Sequence, residues 1–237
     1  MRTVVVLPTY NEVENIAAIL AAIRTAVPSA DLIVVDDHSP DGTAALAETV
    51  AAELGQIKLL RRPGKHGLGS AYRNGFTMAL DEGYDRIVSM DADFSHDPAA
   101  IPEMLRLIDN GAAAVIGSRY VPGGMTVNWS PWRRMLSRWG NRYTSFVLRL
   151  DISDCTSGFR AYRADALRAI SPSTTTAEGY AFLTELVRRL VRGGFTVAET
   201  PIVFLDRERG TSKMSGRIIA ESMLLVTRWG IRDFVKR

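Results

Sequence analysis

The sequence predicts an α/β fold: a doubly wound, mostly parallel sheet flanked by helices, in a single domain. Three observations carry this. Apolar runs rich in Val, Ile and Leu recur through the first half, helix-start signals fall between them, and no linker or composition break divides the chain. Continuous apolar runs, rather than alternating ones, mark strands covered on both faces, and strand-helix alternation is the order of a parallel sheet.

The first strand is expected at TVVVLP (3–8), and Asn11 with Glu14 reads as a capping box opening a helix over 12–26. DLIVVDD (31–37) is the second strand, and Asp41 can cap a helix over 42–54. IKLLRR (57–62) and DRIVSMD (85–91) follow as strands with a helical stretch between them. Asp97 before Pro98 supplies an N-cap and a first-turn proline for 98–109, and AAVIGS (113–118) ends the series. The second half is less regular. It holds an amphipathic stretch at 131–150, the segment DCTSGFRAYR (154–163), a helix at 178–192, a strand over Thr196–Leu205, the polar loop RERGTSK (207–213) and a last helix from Gly216.

A chain of 237 residues is long enough for one domain with a substantial core. No run is apolar for long enough to act as a signal h-region or to cross a bilayer. Cys155 is the single cysteine, which excludes an internal disulfide, fits a reducing compartment and reads as a small packed side chain. Charge is distributed unevenly. From Tyr120 to Leu150 there is no Asp or Glu, while Arg133, Arg134, Arg138, Arg142 and Arg149 share the segment with Trp129, Trp132 and Trp139. Basic and aromatic residues together suit an anionic surface, either membrane headgroups or nucleic acid. The alternative is a solvated helix face with its tryptophans turned inward. Tyr143, Phe146 and Leu150, at helical spacing, read as core. Met223, Leu224, Val226, Trp229 and Phe234 against Arg217, Arg228, Arg232, Lys236 and Arg237 make the last helix a second segment able to lie in a bilayer interface.

In doubly wound sheets ligands bind at the carboxyl ends of the strands. Here those ends carry Pro8-Thr9-Tyr10-Asn11-Glu12, Asp36-Asp37-His38-Ser39, Asp91-Ala92-Asp93 and Gly117-Ser118-Arg119-Tyr120. Asp91 and Asp93, two apart in an extended segment, point the same way and can share a divalent cation; such oxygen ligands suit Mg²⁺ or Mn²⁺. The first turn has no glycine, which excludes a dinucleotide-binding Rossmann domain, and HGLGS (66–70) lacks P-loop spacing. A sugar-phosphate nucleotidyltransferase would open on a Gly-rich basic turn, which PTYNE is not. His38, His66 and His96 form no metal spacing, and Glu185 reads equally as a surface acid or a sugar contact.

PTYNE, VVDDHSPDGT, KHGLGSAYRNGF, DADFSHDP and GSRY together resemble the GT-A nucleotide-sugar glycosyltransferases of family 2. WRRMLS, DCTSGFRAY and RERGTSK resemble, within that family, the polyprenol-phosphate (dolichol-phosphate) mannosyltransferases, and the likeness covers nearly the whole chain. It implies an inverting, metal-dependent enzyme moving mannose from GDP-mannose to a polyprenyl phosphate, with residues 1–120 as the nucleotide-sugar half and 121–237 as the acceptor half. Pro8, Tyr10, Glu12, Asp36, Asp37 and Lys65 would hold the sugar donor, and Asp91 and Asp93 the metal at its diphosphate. Arg119, Arg133, Arg207, Ser212 and Lys213 would contact phosphate, with Asp91, Asp93, Arg119 and Arg133 closest to the chemistry. Where the family commonly has Gln this chain has Ser95, so a third protein ligand to the metal is missing or acts through water. The TSGFR segment favours mannose over glucose.

The chemistry is consistent in physical terms. A phosphate monoester is mostly a dianion at neutral pH, so it needs no general base, and arginines with a divalent cation offset the repulsion between two anionic substrates. The same resemblance implies a peripheral enzyme on the cytoplasmic face of a membrane, held by its own surface or by a separate anchoring subunit, with no nucleic-acid partner. Competing readings are a UDP-glucose-dependent relative, a saccharide acceptor, and a non-catalytic membrane- or nucleic-acid-binding module; the strand-end acids argue against the last.

Overall fold

The computed structural model describes residues 1–206 and 216–235. In chain order the elements are β1 (Thr3–Thr9), α1 (Ile16–Ala26), β2 (Asp31–Asp36), α2 (Thr43–Leu54), β3 (Ile57–Arg61), α3 (Leu68–Asp81) and β4 (Arg86–Ser89). There follow α4 (Ile101–Asp109), β5 (Ala114–Ser118), β6 (Met125–Val127), α5 (Pro131–Leu148), β7 (Arg160–Arg163), α6 (Ala164–Ala169), α7 (Gly179–Arg192), β8 (Val197–Pro201), β9 (Val203–Leu205) and α8 (Gly216–Val235). Seven strands form one sheet in the order β3-β2-β1-β4-β7-β5-β8, and β6 pairs with β9 beside it. All pairings are parallel except those of β7, which runs antiparallel between β4 and β5.

Alternate residues of β1 explain the two-sided core. Val5 and Leu7 face a cluster with Ile16, Ile19, Leu20 and Ile23 of α1 and Ile101 and Met104 of α4. Val4 and Val6 face Tyr72 and Phe76 of α3 and Phe182 and Leu186 of α7. On the second face α3 lies very close to the sheet, because a Cβ at Gly75 would stand 2.4 Å from Val6 Cγ1 and 3.1 Å from Val35 Cγ2. Gly75→Ala is therefore expected to destabilise the fold by about 1–3 kcal/mol through overpacking. The measurement is the urea midpoint at constant m-value, and an unchanged midpoint would mean that α3 moves away freely.

Several local expectations are corrected. The Asn11/Glu14 capping box does not form: α1 starts at Ile16, its first amides bond to the Glu12 carbonyl, and Asn11 has a left-handed φ of 59°. The N-cap of α2 is Gly42 rather than Asp41, though the Asp41 carboxylate, one residue earlier, accepts from Thr43 N and Oγ1 at 3.0 and 2.6 Å. Asp97 accepts from Ala99 N at 2.9 Å, and Pro98 opens a 3₁₀ turn that leads into α4. The single strand expected over 196–205 is two, β8 and β9, interrupted at Ile202. Cys155 is buried as expected, and burial pushes its thiol up to about 12.

Helix α5 departs most from expectation. Its buried residues are Asn141, Thr144 and Leu148, whereas Trp132, Met135, Trp139 and Phe146 are 67, 53, 55 and 83% exposed. Phe146 is thus not core, although Leu150 is buried and Tyr143 half-buried. Residues 132, 135, 139, 142, 146 and 149, spaced by threes and fours, make one continuous stripe along the helix, apolar except for Arg142 and Arg149. Beside it Arg138, Arg142 and Arg149 line a groove of about 1090 Å³ with Tyr120 and Phe146. Helix α8 packs on α5 through Tyr143–Thr227, 2.8 Å between hydroxyls, and exposes Leu224, Ile231 and Phe234. Among the described residues no helix is long and apolar enough to cross a membrane.

Candidate active site

The strand order reverses between β1 and β4, whose neighbours lead off in opposite directions. Their carboxyl ends therefore open the crevice in which doubly wound sheets bind ligands. The loops there are bent hard: Asn11 after β1, His38 after β2 and Phe94 after β4 all have φ near +60°, at 59, 58 and 60°. Left-handed backbone of this kind at non-glycine residues clusters at functional sites.

On the nucleotide side of the crevice the acids are tightly held. Asp36 accepts from Thr9 Oγ1 at 3.0 Å and from Ser39 N and Oγ at 2.9 and 2.6 Å. Asp37 is ion-paired with the buried Arg62 and accepts from His66 N at 3.2 Å. Lys65 Nζ lies 3.9 Å above the Tyr10 ring, and the Glu12 carboxylate accepts from Asn15 Nδ2 at 3.0 Å.

Strand β4 ends at Ser89, two residues earlier than the sequence implied, so Asp91 and Asp93 stand on a bent loop rather than on an extended strand. Tyr72 Oη approaches Asp91 Oδ1 at 3.4 Å, and Asp93 Oδ1 accepts from Ser95 N at 3.0 Å. The Asp91 amide donates to His96 Nδ1 at 3.3 Å. His96 is enclosed by Phe159 and Phe204, with centroids at 5.1 and 5.4 Å, and its burial lowers its pKa in spite of the acids beside it, so it stands neutral. A Cβ at Gly158 would lie 3.6 and 3.8 Å from the two Asp91 carboxylate oxygens, so the glycine keeps space open beside them. The Ser95 hydroxyl is buried with no hydrogen-bond partner among the described residues. Two carboxylates, an open flank and an unused hydroxyl fit a Mg²⁺ or Mn²⁺ ion that keeps water and phosphate in its shell. No cluster of three or more acid, His or Cys ligands exists among the described residues.

The acid loop is joined directly to the basic side of the site. Leu205 N of β9 donates to Ser95 O at 3.2 Å, and Phe204 packs edge-on against both His96 and Trp129. Arg119, at the end of β5, makes a bidentate pair with the fully buried Asp154, Nε–Oδ2 and Nη2–Oδ1 both 2.7 Å, and donates to Thr156 Oγ1 at 2.8 Å. Burial opposes the Arg119 charge, but Asp154 overrides it and raises the guanidinium pKa further. Arg133 of α5 pairs with Asp206 Oδ2 at 2.7 Å and lies 4.1 Å over the Trp129 ring.

Residues 4–171 match the model of the family described as glycosyl transferase family 2. The chain belongs to that family. Undecaprenyl-phosphate mannosyltransferase of Micrococcus luteus is 48% identical over 98% of this chain and 95% of its own length. Polyprenol monophosphomannose synthase of Mycolicibacterium smegmatis is 47% identical over 100% of this chain and 89% of its own. In fold, the chain is similar to glucosyl-3-phosphoglycerate synthase from Mycobacterium tuberculosis. The crystal structure of that enzyme with Mn²⁺, UDP and glucosyl-3-phosphoglycerate gives a TM-score of 0.64 at 18% identity, covering 99% of this chain and 79% of that one. Its complex with Mn²⁺, UDP-glucose and phosphoglyceric acid gives 0.70 at 18%, covering 97% and 79%. The expected GT-A type α/β architecture is the one observed, and the protein is a glycosyltransferase.

Within this family 2 domain, contacts link Asp91, Asp93 and Ser95 through His96 and β9 to Arg119 and Arg133. Pro8 and Asp36 stand at the ends of β1 and β2, and Tyr10, Glu12, Asp37 and Lys65 lie on the segments that follow β1, β2 and β3. Arg207, Ser212 and Lys213 lie outside the described residues. Sequence reasoning assigned no role to Asp154, Asp206 or His96. Asp154 and Asp206 stand in the quoted DCTSGFR segment and just before RERGTSK, but nothing local names their arginine partners. Glu185 is buried against Arg189 at 2.6 Å and accepts from Ala177 N, which makes it a helix-anchoring acid rather than a surface one.

Proposed function

We propose that the protein transfers mannose, with inversion, from GDP-mannose to a polyprenyl phosphate, using a divalent metal. The observation that carries this reading is the 47–48% identity, over nearly the full length, with an undecaprenyl-phosphate mannosyltransferase and a polyprenol monophosphomannose synthase. The strand-end acids and the arginines across from them are consistent with it. Asp91 and Asp93 would hold the Mg²⁺ or Mn²⁺, and the buried Ser95 hydroxyl beside them, unpartnered among the described residues, would be free to bond to water at the site. When bound, the ion offsets charge on the departing nucleoside diphosphate. Tyr10 and Lys65 border the nucleotide, while Asp36 and Asp37 shape its pocket through Thr9, Ser39 and Arg62. Arg119 and Arg133 receive the acceptor phosphate, whose dianion attacks the anomeric carbon without a general base. In this reading residues 1–120 serve the sugar donor and 121–237 the acceptor.

The test is transfer of labelled sugar to polyprenyl phosphate from GDP-mannose or UDP-glucose, with Mg²⁺, Mn²⁺ or EDTA. Transfer from GDP-mannose that EDTA abolishes is the expected result. Transfer from UDP-glucose instead would replace mannose by glucose, and transfer that survives EDTA would remove the metal.

Such an acceptor resides in a bilayer, and the outer stripe of α5 suits the cytoplasmic headgroup region. A helix that buries Asn141 and Thr144 while exposing two tryptophans, Met135 and Phe146 beside three arginines has the composition of an interfacial helix. The double change Trp139→Glu with Phe146→Glu is expected to weaken binding to phosphatidylglycerol-containing vesicles about ten-fold or more. Co-sedimentation reads this. Undiminished binding would place the membrane contact elsewhere, or on an anchoring subunit.

A further inference from the structure

We infer that the Trp129 indole N–H is a third hydrogen-bond donor for the acceptor's phosphate monoester, beside Arg119 and Arg133. This rests on the polyprenyl-phosphate reading above. Trp129 is 7% exposed, and its Nε1 is buried with no hydrogen-bond partner among the described residues. An indole N–H can only donate, buried tryptophans ordinarily find an acceptor, and an unmet buried donor is costly. Among the described residues, that donor is therefore used by no acceptor.

The surroundings of that donor indicate the ligand. The Arg133 guanidinium lies 4.1 Å and that of Arg119 5.5 Å from the ring centre. Among the described residues both cations keep donors in reserve: Arg119 commits Nε and Nη2 to Asp154 and Thr156, and Arg133 commits Nη1 to Asp206. Asp154 and Asp206 offset part of the charge of these two arginines, so directed hydrogen bonds add to the selectivity for a phosphate. A rigid neutral N–H supplies one more without more charge. Its position is fixed, because Ser130, the next residue, caps α5 by accepting from Arg133 N at 3.3 Å, and Phe204 packs edge-on against the indole at 5.5 Å. A terminal phosphate presents enough oxygens for three donors.

The experiment follows ¹⁵N-labelled indole resonances of the full chain during titration with a short, water-soluble isoprenyl phosphate, alongside Trp129→Phe. The substitution keeps an aromatic ring for the cations to lie over and removes the N–H together with the pyrrole part of the indole. The Trp129 signal is expected to move downfield on binding. Trp129→Phe should bind the phosphate about ten-fold more weakly, with the KM for the sugar donor unchanged and the melting temperature lowered only by the lost ring volume. A merely structural role would lower the melting temperature to the same extent and leave phosphate affinity alone. Wild-type binding with an unmoved indole signal, or equal affinity in the variant, overturns the inference while the acceptor reading stands. No binding of the phosphate by the wild type overturns both. If Trp129→Phe fails to fold, Trp132→Phe, Trp139→Phe and Trp229→Phe assign the signal by elimination, and the wild-type titration decides alone.

Discussion

Asp93→Asn is expected to lower the transfer rate by on the order of 10³-fold or more while leaving the fold intact. The change keeps the Oδ1 acceptor that Ser95 N reaches at 3.0 Å and adds no volume in a site that is only 7% exposed. What it removes is one of two negative charges facing the proposed cation. A catalytic metal contributes several kcal/mol of charge stabilisation, and about 1.4 kcal/mol is a factor of ten in rate. Mn²⁺ affinity, read by the decrease of the free-ion paramagnetic resonance signal, should fall together with kcat. A variant that retains Mn²⁺ binding and transfer would take the metal away from these acids. One that loses transfer but keeps Mn²⁺ would make Asp93 a substrate contact instead.

The second large effect is on stability. Asp154→Ala is expected to destabilise the protein by about 3–5 kcal/mol, because it strands the buried Arg119 charge. Asp154 is fully buried and accepts from Arg119 N, Nε and Nη2 as well as from Thr156 and Ser157 amides. Changing both partners, Arg119→Met with Asp154→Ala, should recover part of the loss, since no unpaired charge remains. The pair also sets an acid limit. Burial alone would raise the Asp154 pKa, but the Arg119 charge and the surrounding N–H groups overcome this and hold it below the usual range. A carboxyl depressed in the folded state contributes stability that is fully present above its unfolded pKa, near 3.9, and is lost as pH falls through the folded value. Thermal melts should therefore show the wild type losing this contribution only below about pH 4. The Asp154→Ala variant starts lower and lacks that acid limb. Identical melting of the two proteins at neutral pH would refute the structural weight given to the pair.

The parallel half of the fold was legible because each strand announces itself locally: Val4–Leu7, Leu32–Val35 and Val115–Ile116 are unbroken apolar stretches. The strand-end loops were legible for the same reason, since the position of Asp91 follows from where the fourth run ends. What remained hidden was non-local. Strand β7 is only Arg-Ala-Tyr-Arg, and its place depends on pairing with β4 and β5, far away in the chain. Asp154 and Arg119 are 35 residues apart, and no periodicity links them. Asn11 and Glu14 have capping-box spacing, yet Glu12 supplies its carbonyl to α1 instead, a tertiary choice tied to Thr43 and Ser39 of the next βα loop. Phe146 was misread because helical spacing alone does not tell which face is covered.

The antiparallel β7 also bears on how the chain comes to be folded. Until residues 160–163 are available, β4 and β5 have no strand between them, and each presents an open hydrogen-bonding edge of almost wholly buried residues. On the ribosome, the first five strands emerge well before the piece that joins them. Nucleation can begin early among β1, β2 and β3, but closure of the sheet waits for the chain to return from α5. The long sequence separation of these pairings favours slow folding and exposes sticky edges in the interval. A nascent chain halted between Ser118 and Arg160 should accordingly be a good client for chaperones that bind unpaired strands, and one released past Pro201, where β8 covers the other edge of β5, a poor one.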